Sequence, residues 1–150
     1  MKIGIVRIDR MGDMILTLPI IKAIKLKNPS TIIHIFCSHK NYKIIKNFKY
    51  VDKVFNNDSS FLNNKEKYDY IFNFSPGWKS FFKFIFLKSI KKNNLILSSR
   101  YKNKINSKLL ILIFSKIFFN TTLYINRINR FYKNKSIHQT KIMFELLDKC

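Results

Sequence analysis

Arg10, Met11, Gly12 and Asp13 form a short stretch whose residue types and order could do chemistry. An acidic residue beside a glycine at the start of a helix lies where chemistry is often done in open α/β sheets. A glycine beside it leaves room for a substrate near the backbone, and an arginine can grip an anionic group. Asp13 could equally do no more than cap or charge a helix N-terminus, which is a common use of aspartate. The residues alone leave both roles open.

The elements around this stretch predict the first βα unit of an open α/β sheet. Residues 3–8 are almost all apolar and predict a buried strand, which runs into a polar turn over residues 9–12. From Asp13 to Lys27 the apolar residues recur with helical spacing, although Pro19 falls inside the pattern and should remove one hydrogen bond or kink the helix. Ligands of such sheets bind just outside the carboxyl ends of the strands, where residues 10–13 would lie.

The rest of the chain alternates between strand and helix patterns. This order predicts βαβ units with right-handed crossovers, and therefore a Rossmann-like parallel sheet with helices on both faces. The predicted strands are Thr31–Cys37, Val51–Phe55, Tyr68–Phe74 and Leu95–Ser98. The predicted helices are His39–Phe48, Trp78–Lys91, Lys108–Phe119 and Ile137–Leu147. At 150 residues the chain is expected to form one domain.

The charge of the chain favours an anionic partner. It has 29 Lys and Arg residues against 8 Asp and Glu, a formal net charge of +21, and no acidic residue between Tyr70 and Phe144. Such a field attracts nucleic acid, anionic lipid headgroups or phosphorylated glycolipids. Biased codon usage and an ordinary solvated surface could account for part of the excess.

The cysteines and histidines do not indicate a metal site or a disulfide framework. Cys37 and Cys150 are far apart and lack the spacing of metal ligands, and Cys37 is predicted to be a buried thiol in a strand. His34 alternates within the same strand and is predicted to be a hydrogen-bonded core residue. The longest apolar run, Leu109–Phe119, contains a lysine and is too short to span a bilayer.

The motifs resemble glycosyltransferase family 9, which contains the lipopolysaccharide heptosyltransferases. Residues 7–13, RIDRMGD, and residues 17–19, TLP, resemble the R-x-D-x-x-G-D turn and the T-x-P motif that open members of this family. Weaker likenesses follow at Tyr68–Phe74 with Trp78-Lys79-Ser80, at Ser99-Arg100-Tyr101, which lacks the glycine of the family element, and at His138–Leu147.

The resemblance implies a function as well as a fold. Members have the GT-B architecture, in which an N-terminal Rossmann-like domain takes the acceptor and a C-terminal domain takes the nucleotide-sugar donor. By resemblance, Asp13 would be the catalytic base of an inverting transfer, and Arg10, Met11, Gly12, Lys79 and Arg100 would bind the acceptor, without a metal ion. Residues 1–150 would then be the acceptor-side domain, with the donor-binding domain absent, so the chain is expected to be inactive alone.

The expected partners follow from the resemblance and from the charge. The acceptor would be a lipopolysaccharide core or another surface glycan, the sugar heptose or a similar one, and the donor domain could be encoded separately. Phe81–Lys92 is a candidate helix for an anionic membrane surface, and the expected location is cytoplasmic or peripheral on the inner face of the membrane. The alternative is a basic domain that binds nucleic acid or membranes without catalysis. No known nucleic-acid-binding motif occurs, which disfavours nucleic acid. A dinucleotide-binding enzyme is also disfavoured, since G-x-G-x-x-G is missing.

Overall fold

A six-stranded parallel sheet forms the centre of the molecule. The computed structural model describes residues 1–56, 63–75, 77–97, 113–125 and 139–148. The strands are β1 (Lys2–Arg7), β2 (Ile32–Cys37), β3 (Lys53–Phe55), β4 (Lys67–Asn73), β5 (Lys88–Leu97) and β6 (Thr121–Ile125). Their spatial order is β3-β2-β1-β4-β5-β6, with every neighbouring pair parallel. This is the Rossmann order, which confirms the predicted fold class.

Helices cover both faces of the sheet. They are α1 (Met11–Ile15), α2 (Leu18–Lys27), α3 (His39–Ile45), α4 (Trp78–Ile85), α5 (113–118) and α6 (Gln139–Asp148). Ile5, Ile35 and Phe72 face one side, where they pack with apolar residues of α1, α2, α3 and α6. Val6 and Ile71 face the other side, against α4 and Phe119. Strands buried from both sides contain near-continuous apolar residues, which is why β1 and β2 could be recognised in the sequence.

The expected single helix from Asp13 to Lys27 is wrong, because the structure has two helices there. α1 ends at Ile15, and Thr17 is the residue before the first turn of α2. Pro19 therefore lies at the second position of α2 rather than in a helix interior. A proline at this place removes no helical hydrogen bond, since the first N–H groups of a helix have no partner within it. The predicted kink does not arise.

The expected helix from Trp78 to Lys91 is correct only as far as Ile85. Lys88 begins β5, which runs beside β4 with Lys67 opposite Lys88 and Asn73 opposite Asn94. Residues 88–94 are mostly polar, so the sequence does not indicate a strand there. β6 is a strand that the sequence analysis did not predict. Of the predicted helix Lys108–Phe119, residues 108–112 lie outside the described part of the chain.

No helix in the described ranges is long and apolar enough to cross a membrane.

Candidate functional site

The candidate site lies at the topological switch point of the sheet. β1 is hydrogen-bonded to β2 on one side and to β4 on the other, so the connections that leave β1 and β4 diverge to opposite faces. In open α/β sheets this divergence opens a crevice outside the carboxyl ends of the strands, where ligands bind. Residues 8–10 follow β1 at this edge, and Phe74 and Ser75 follow β4. The predicted position of the RMGD stretch is thus confirmed.

Arg7, the last residue of β1, is a fully buried cation at the base of this crevice. Its Nη1 donates a hydrogen bond to the backbone carbonyl of Phe74, and its Nε donates one to the carbonyl of Asp13 at 3.1 Å. Burial lowers the pKa of Arg7, and the charges of Asp9 and Asp13 oppose this effect. Since a buried charge is costly unless it is paired, Arg7 ties the loop after β1 to the loop after β4.

The Asp13 carboxylate lies between two guanidinium groups. Oδ1 is 3.5 Å from Nη2 of Arg7, and Oδ2 accepts a hydrogen bond from Nε of Arg10 at 3.3 Å. The Arg10 side chain is 80% exposed, whereas that of Asp13 is 13% exposed. One side of the carboxylate is therefore held by a buried guanidinium group, and the other side contacts an exposed arginine at the crevice.

Asp9 is a second carboxylate at the same edge. Its Oδ2 lies 3.5 Å from Nη1 of Arg7. Partial burial raises the pKa of Asp9, while the charge of Arg7 and a hydrogen bond with Ser75 act in the opposite direction. The crevice thus holds two carboxylates that share one buried arginine, and Asp13 is also paired with Arg10.

Side chains from other elements hold the loop after β1 in place. The Nδ2 of Asn41, a buried residue of α3, donates hydrogen bonds to the carbonyls of Arg7 at 3.1 Å and of Asp9 at 3.0 Å. Ser75 follows the end of β4, and its Oγ accepts a hydrogen bond from the backbone N–H of Ile8 at 2.8 Å. These contacts limit the conformations of the loop that carries the acidic residues, as a preorganised site requires.

Thr17 of the T-L-P sequence supports α1 from below. Its Oγ1 is buried, donates a hydrogen bond to the carbonyl of Asp13 at 2.9 Å and lies 3.8 Å from the sulfur of Met143 in α6. A hydroxyl at this position satisfies a carbonyl at the C-terminal end of a very short helix, where intrahelical partners are few. Thr17 therefore couples the backbone of Asp13 to the packing of α6.

Gly12 leaves open space beside Asp13. A Cβ built on Gly12 meets no atom within 4 Å, and Met11 next to it is exposed. Neither the packing nor the backbone of the described chain requires a glycine at this position. The space above α1 is therefore free for a ligand.

The predicted site residues are brought together only in part. Arg10, Met11, Gly12 and Asp13 share α1 and its N-cap. Lys79 is exposed in the first turn of α4, which follows the end of β4, and in the described part of the chain it forms no hydrogen bond or ion pair with Asp13. Arg100 lies outside the described residues.

Residues outside the predicted set build the support of the site. Arg7, Asp9, Asn41 and Ser75 were not predicted as site residues. A signal was present for Arg7, because a charged residue at the end of a buried strand is rarely tolerated without a partner. Asn41 and Ser75 carried no such signal, since each acts through contacts made across the fold.

The other candidate groups are structural. His34 is buried, with its Nδ1 3.0 Å from the hydroxyl of Tyr68, as predicted for a core histidine. Cys37 is a buried free thiol, and burial raises its pKa to about 12. Within the ranges that the structure covers, no group of three or more His, Cys, Asp or Glu residues could hold a metal ion.

Solved glycosyltransferases share this fold. The chain matches a glycosyl transferase family 9 structure from Veillonella parvula with a TM-score of 0.71 and 15% identity, over 99% of this chain and 41% of that one. It matches the E. coli heptosyltransferase WaaC with ADP at a TM-score of 0.71 and 17% identity, over 99% of this chain and 46% of that one. The chain has the Rossmann-like fold of a GT-B domain.

The GT-B likeness extends to a further WaaC structure, with ADP-2-deoxy-2-fluoro heptose, at a TM-score of 0.71, of which this chain covers 48%. The chain thus spans less than half the length of these structures. No protein-family model matches the chain, and no curated protein matches it. The six-stranded parallel sheet, rather than sequence identity, is what the GT-B structures and this chain have in common.

Proposed function

We propose that this chain is the acceptor-binding domain of an inverting glycosyltransferase, with Asp13 as the catalytic base. The observation that carries the proposal is the Asp13 carboxylate itself. It is held at the switch point of a GT-B sheet by the buried Arg7, and it remains partly open to the crevice. The best-supported acceptor is a lipopolysaccharide core or a similar surface glycan, by likeness to heptosyltransferases.

The proposed reaction is a single displacement at the anomeric carbon of the donor sugar. The hydroxyl oxygen of the acceptor forms a bond to that carbon while the bond to the nucleoside diphosphate breaks. Asp13 takes the hydroxyl proton, and the diphosphate leaves with the bonding electron pair. Because a carboxylate is a weak base, most of the rate must come from holding the hydroxyl close to it in the correct orientation. The rigid contacts of Asp13 with Arg7 suit this requirement.

The acceptor would lie above α1. Arg10 can grip a phosphate or carboxylate group of the acceptor, since its guanidinium is largely exposed. The open space at Gly12 would admit a sugar ring, with Met11 at its margin. Lys79 and Arg100 remain candidates for further anionic groups of the acceptor.

The donor would be a nucleoside diphosphate sugar held by a second domain. Two of the solved neighbours contain ADP or an ADP-heptose analogue, so we propose an ADP-linked sugar. We also propose that no metal ion takes part. The leaving diphosphate would be stabilised by cationic or dipolar groups of the donor-binding domain. We expect residues 1–150 to transfer no sugar until a donor-binding domain is supplied.

Asp13→Asn tests the role of the base. The chain would be joined to the donor-binding domain of the E. coli heptosyltransferase, and transfer from ADP-heptose to a core oligosaccharide would be measured. General-base catalysis typically contributes about 10²–10⁴-fold, so we expect kcat to fall by that range while acceptor binding persists. Asp148→Asn, an exposed carboxylate of α6, is the matched control. Undiminished turnover by Asp13→Asn would place the base elsewhere.

Gly12→Ala tests the acceptor position separately from folding. The added methyl meets no protein atom, and alanine is favoured over glycine inside a helix by roughly 0.5–1 kcal/mol. The variant should therefore be as stable as the parent or more so, yet bind the core oligosaccharide more weakly in calorimetric titration. Unchanged binding by a stable Gly12→Ala variant would remove the acceptor from the space above α1.

A further inference from the structure

α4 and α5 present apolar side chains to solvent on the face of the sheet away from α2. Phe82 is 57% exposed and Ile117 is 69% exposed. Phe86, at the C-cap of α4, is also exposed, as are Phe114 and Phe118 of α5. Scattered exposed apolar residues are normal on protein surfaces, but a contiguous group marks an interaction site.

These side chains form one surface, which we call the aromatic face: Trp78, Phe82, Phe86, Phe114, Ile117 and Phe118. Trp78 connects α4 and α5. The centroid of its ring lies 5.6 Å from that of Phe82, on which it is stacked, and 6.3 Å from that of Phe114. Trp78, Phe82 and Phe86 follow at intervals of four residues along α4, which places them in one row. Beneath them, Phe81 and Phe84 pack on Phe119 and fix the two helices together.

The helices of the aromatic face carry lysines and no carboxylate. Lys79, Lys88 and Lys116 are exposed on α4, at the start of β5 and on α5. The sequence contains no acidic residue between Asp69 and Glu145, so neither helix carries one. The face is therefore a cluster of aromatic and aliphatic side chains on two helices whose only charged residues are cationic.

We infer that the aromatic face docks on the surface of an anionic lipid bilayer. Phenylalanine, isoleucine and tryptophan side chains partition into the boundary between headgroups and acyl chains, and lysines attract anionic headgroups. A second copy of the chain fits the surface less well. Two such faces would place lysines against lysines with no carboxylate to pair them, and the chains carry a formal charge of +21 each.

The position of the face gives the docking a consequence. Trp78 is the first residue of α4 and follows Ser75, which bonds to the loop after β1. The aromatic face thus begins at the edge of the sheet that carries Asp13. Docking would hold the crevice near the headgroups, where a lipid-linked molecule presents its polar part. The docking itself does not depend on the glycosyltransferase proposal, and its test needs no enzymatic activity.

Trp78 provides a direct probe, because it is the single tryptophan of the chain. Its fluorescence would be recorded with vesicles of pure phosphatidylcholine and of equal parts phosphatidylcholine and phosphatidylglycerol. We expect a blue shift, and quenching by brominated acyl chains, with the anionic vesicles only, and co-sedimentation that weakens with added salt. Equal binding to both vesicle types, or no shift with either, would overturn the proposal.

Two variant pairs separate the contributions of the apolar and cationic groups. Phe82→Asp should weaken vesicle binding about tenfold or more, whereas Leu26→Asp, at a residue of α2 that is 62% exposed, should not. If Phe82→Asp disturbs the stacking of Trp78, Ile117→Asp makes the same test on α5. An equal loss with Leu26→Asp would contradict an assignment to the aromatic face.

The second pair consists of two double variants that change the net charge of the chain by the same amount. Lys88→Glu with Lys116→Glu should weaken binding about 25-fold or more, from about fivefold for each lysine near the surface. Lys22→Glu with Lys40→Glu, at exposed sites of α2 and α3, should have a much smaller effect. Equal losses in both double variants would reduce the interaction to net charge and refute a specific face.

Two further measurements would overturn the choice of partner. Sedimentation that shows a dimer of the parent and a monomer of Phe82→Asp would assign the aromatic face to a second copy of the chain. Release of the protein from anionic vesicles by a short RNA that binds more tightly, with Trp78 quenched in the RNA complex, would assign it to nucleic acid. We expect the parent and Phe82→Asp both to be monomers, and we expect RNA not to change the fluorescence of Trp78.

Discussion

Replacing Arg7 with methionine should destabilise the domain by about 3 kcal/mol. Arg7 donates charged hydrogen bonds to the carbonyls of Phe74 and Asp13, each worth about 1.5–3 kcal/mol. Removal of one member of a buried ion pair typically costs about 3–5 kcal/mol. The lower end of this range applies because Asp9 and Asp13 are partly exposed, so water can still solvate their carboxylates when Arg7 is absent. Nη2 of Arg7 makes no hydrogen bond and adds only electrostatic attraction.

The measurement is urea unfolding of Arg7→Met, Arg7→Lys and the parent chain, followed by circular dichroism. Lysine keeps the charge but cannot form the guanidinium fork, so we expect a loss of about 1–2 kcal/mol for Arg7→Lys. Since domains of this kind are stable by roughly 5–15 kcal/mol, Arg7→Met should remain folded in water. A loss below about 1 kcal/mol would refute the view that Arg7 holds the loops after β1 and β4 together.

Further outcomes follow from three buried groups and from Glu66. Thr17→Val should cost about 1 kcal/mol in urea unfolding, because it removes the hydrogen bond to the Asp13 carbonyl without changing the shape of the side chain; an unchanged midpoint would contradict this. Cys37 should not react with a thiol reagent at neutral pH in the folded state, since its pKa is raised to about 12, and rapid labelling would show that the core opens. Stability should fall as pH drops below about 6.5, because burial lowers the pKa of His34 and only the unfolded chain then takes up that proton. Stability should fall again as the pH drops from the ordinary glutamate pKa of 4.5 toward about 2. A hydrogen bond from Lys2 lowers the pKa of Glu66 to that value in the folded chain. The check is that His34→Phe shows a flat stability profile between about pH 5 and 8 and retains the step at lower pH.

Much of the fold follows from local sequence. Residues 2–7 and 32–37 are apolar and β-branched, and they form strands because a central parallel strand is buried on both faces. The alternation of strands and helices then leaves a Rossmann-like sheet as the natural arrangement. β5 was missed over residues 88–94 because its polar sequence has no strand pattern. Pairing with β4 along residues 88–94, and with β6 from Asn93 onward, determines that segment.

In the candidate site, too, some features follow from local sequence and others from tertiary contacts. The sequence by itself determined that Asp13 follows a buried strand and a turn with glycine, and this order is enough to place it at the carboxyl edge of a parallel sheet. Only the tertiary structure decided what surrounds it. Arg7, Asn41 and Ser75 come from three different elements and meet at that edge because β4 pairs with β1 and α3 packs beside the loop between them. Such contacts join residues up to 67 positions apart, and a local pattern carries no information about which distant side chain a buried charge will reach.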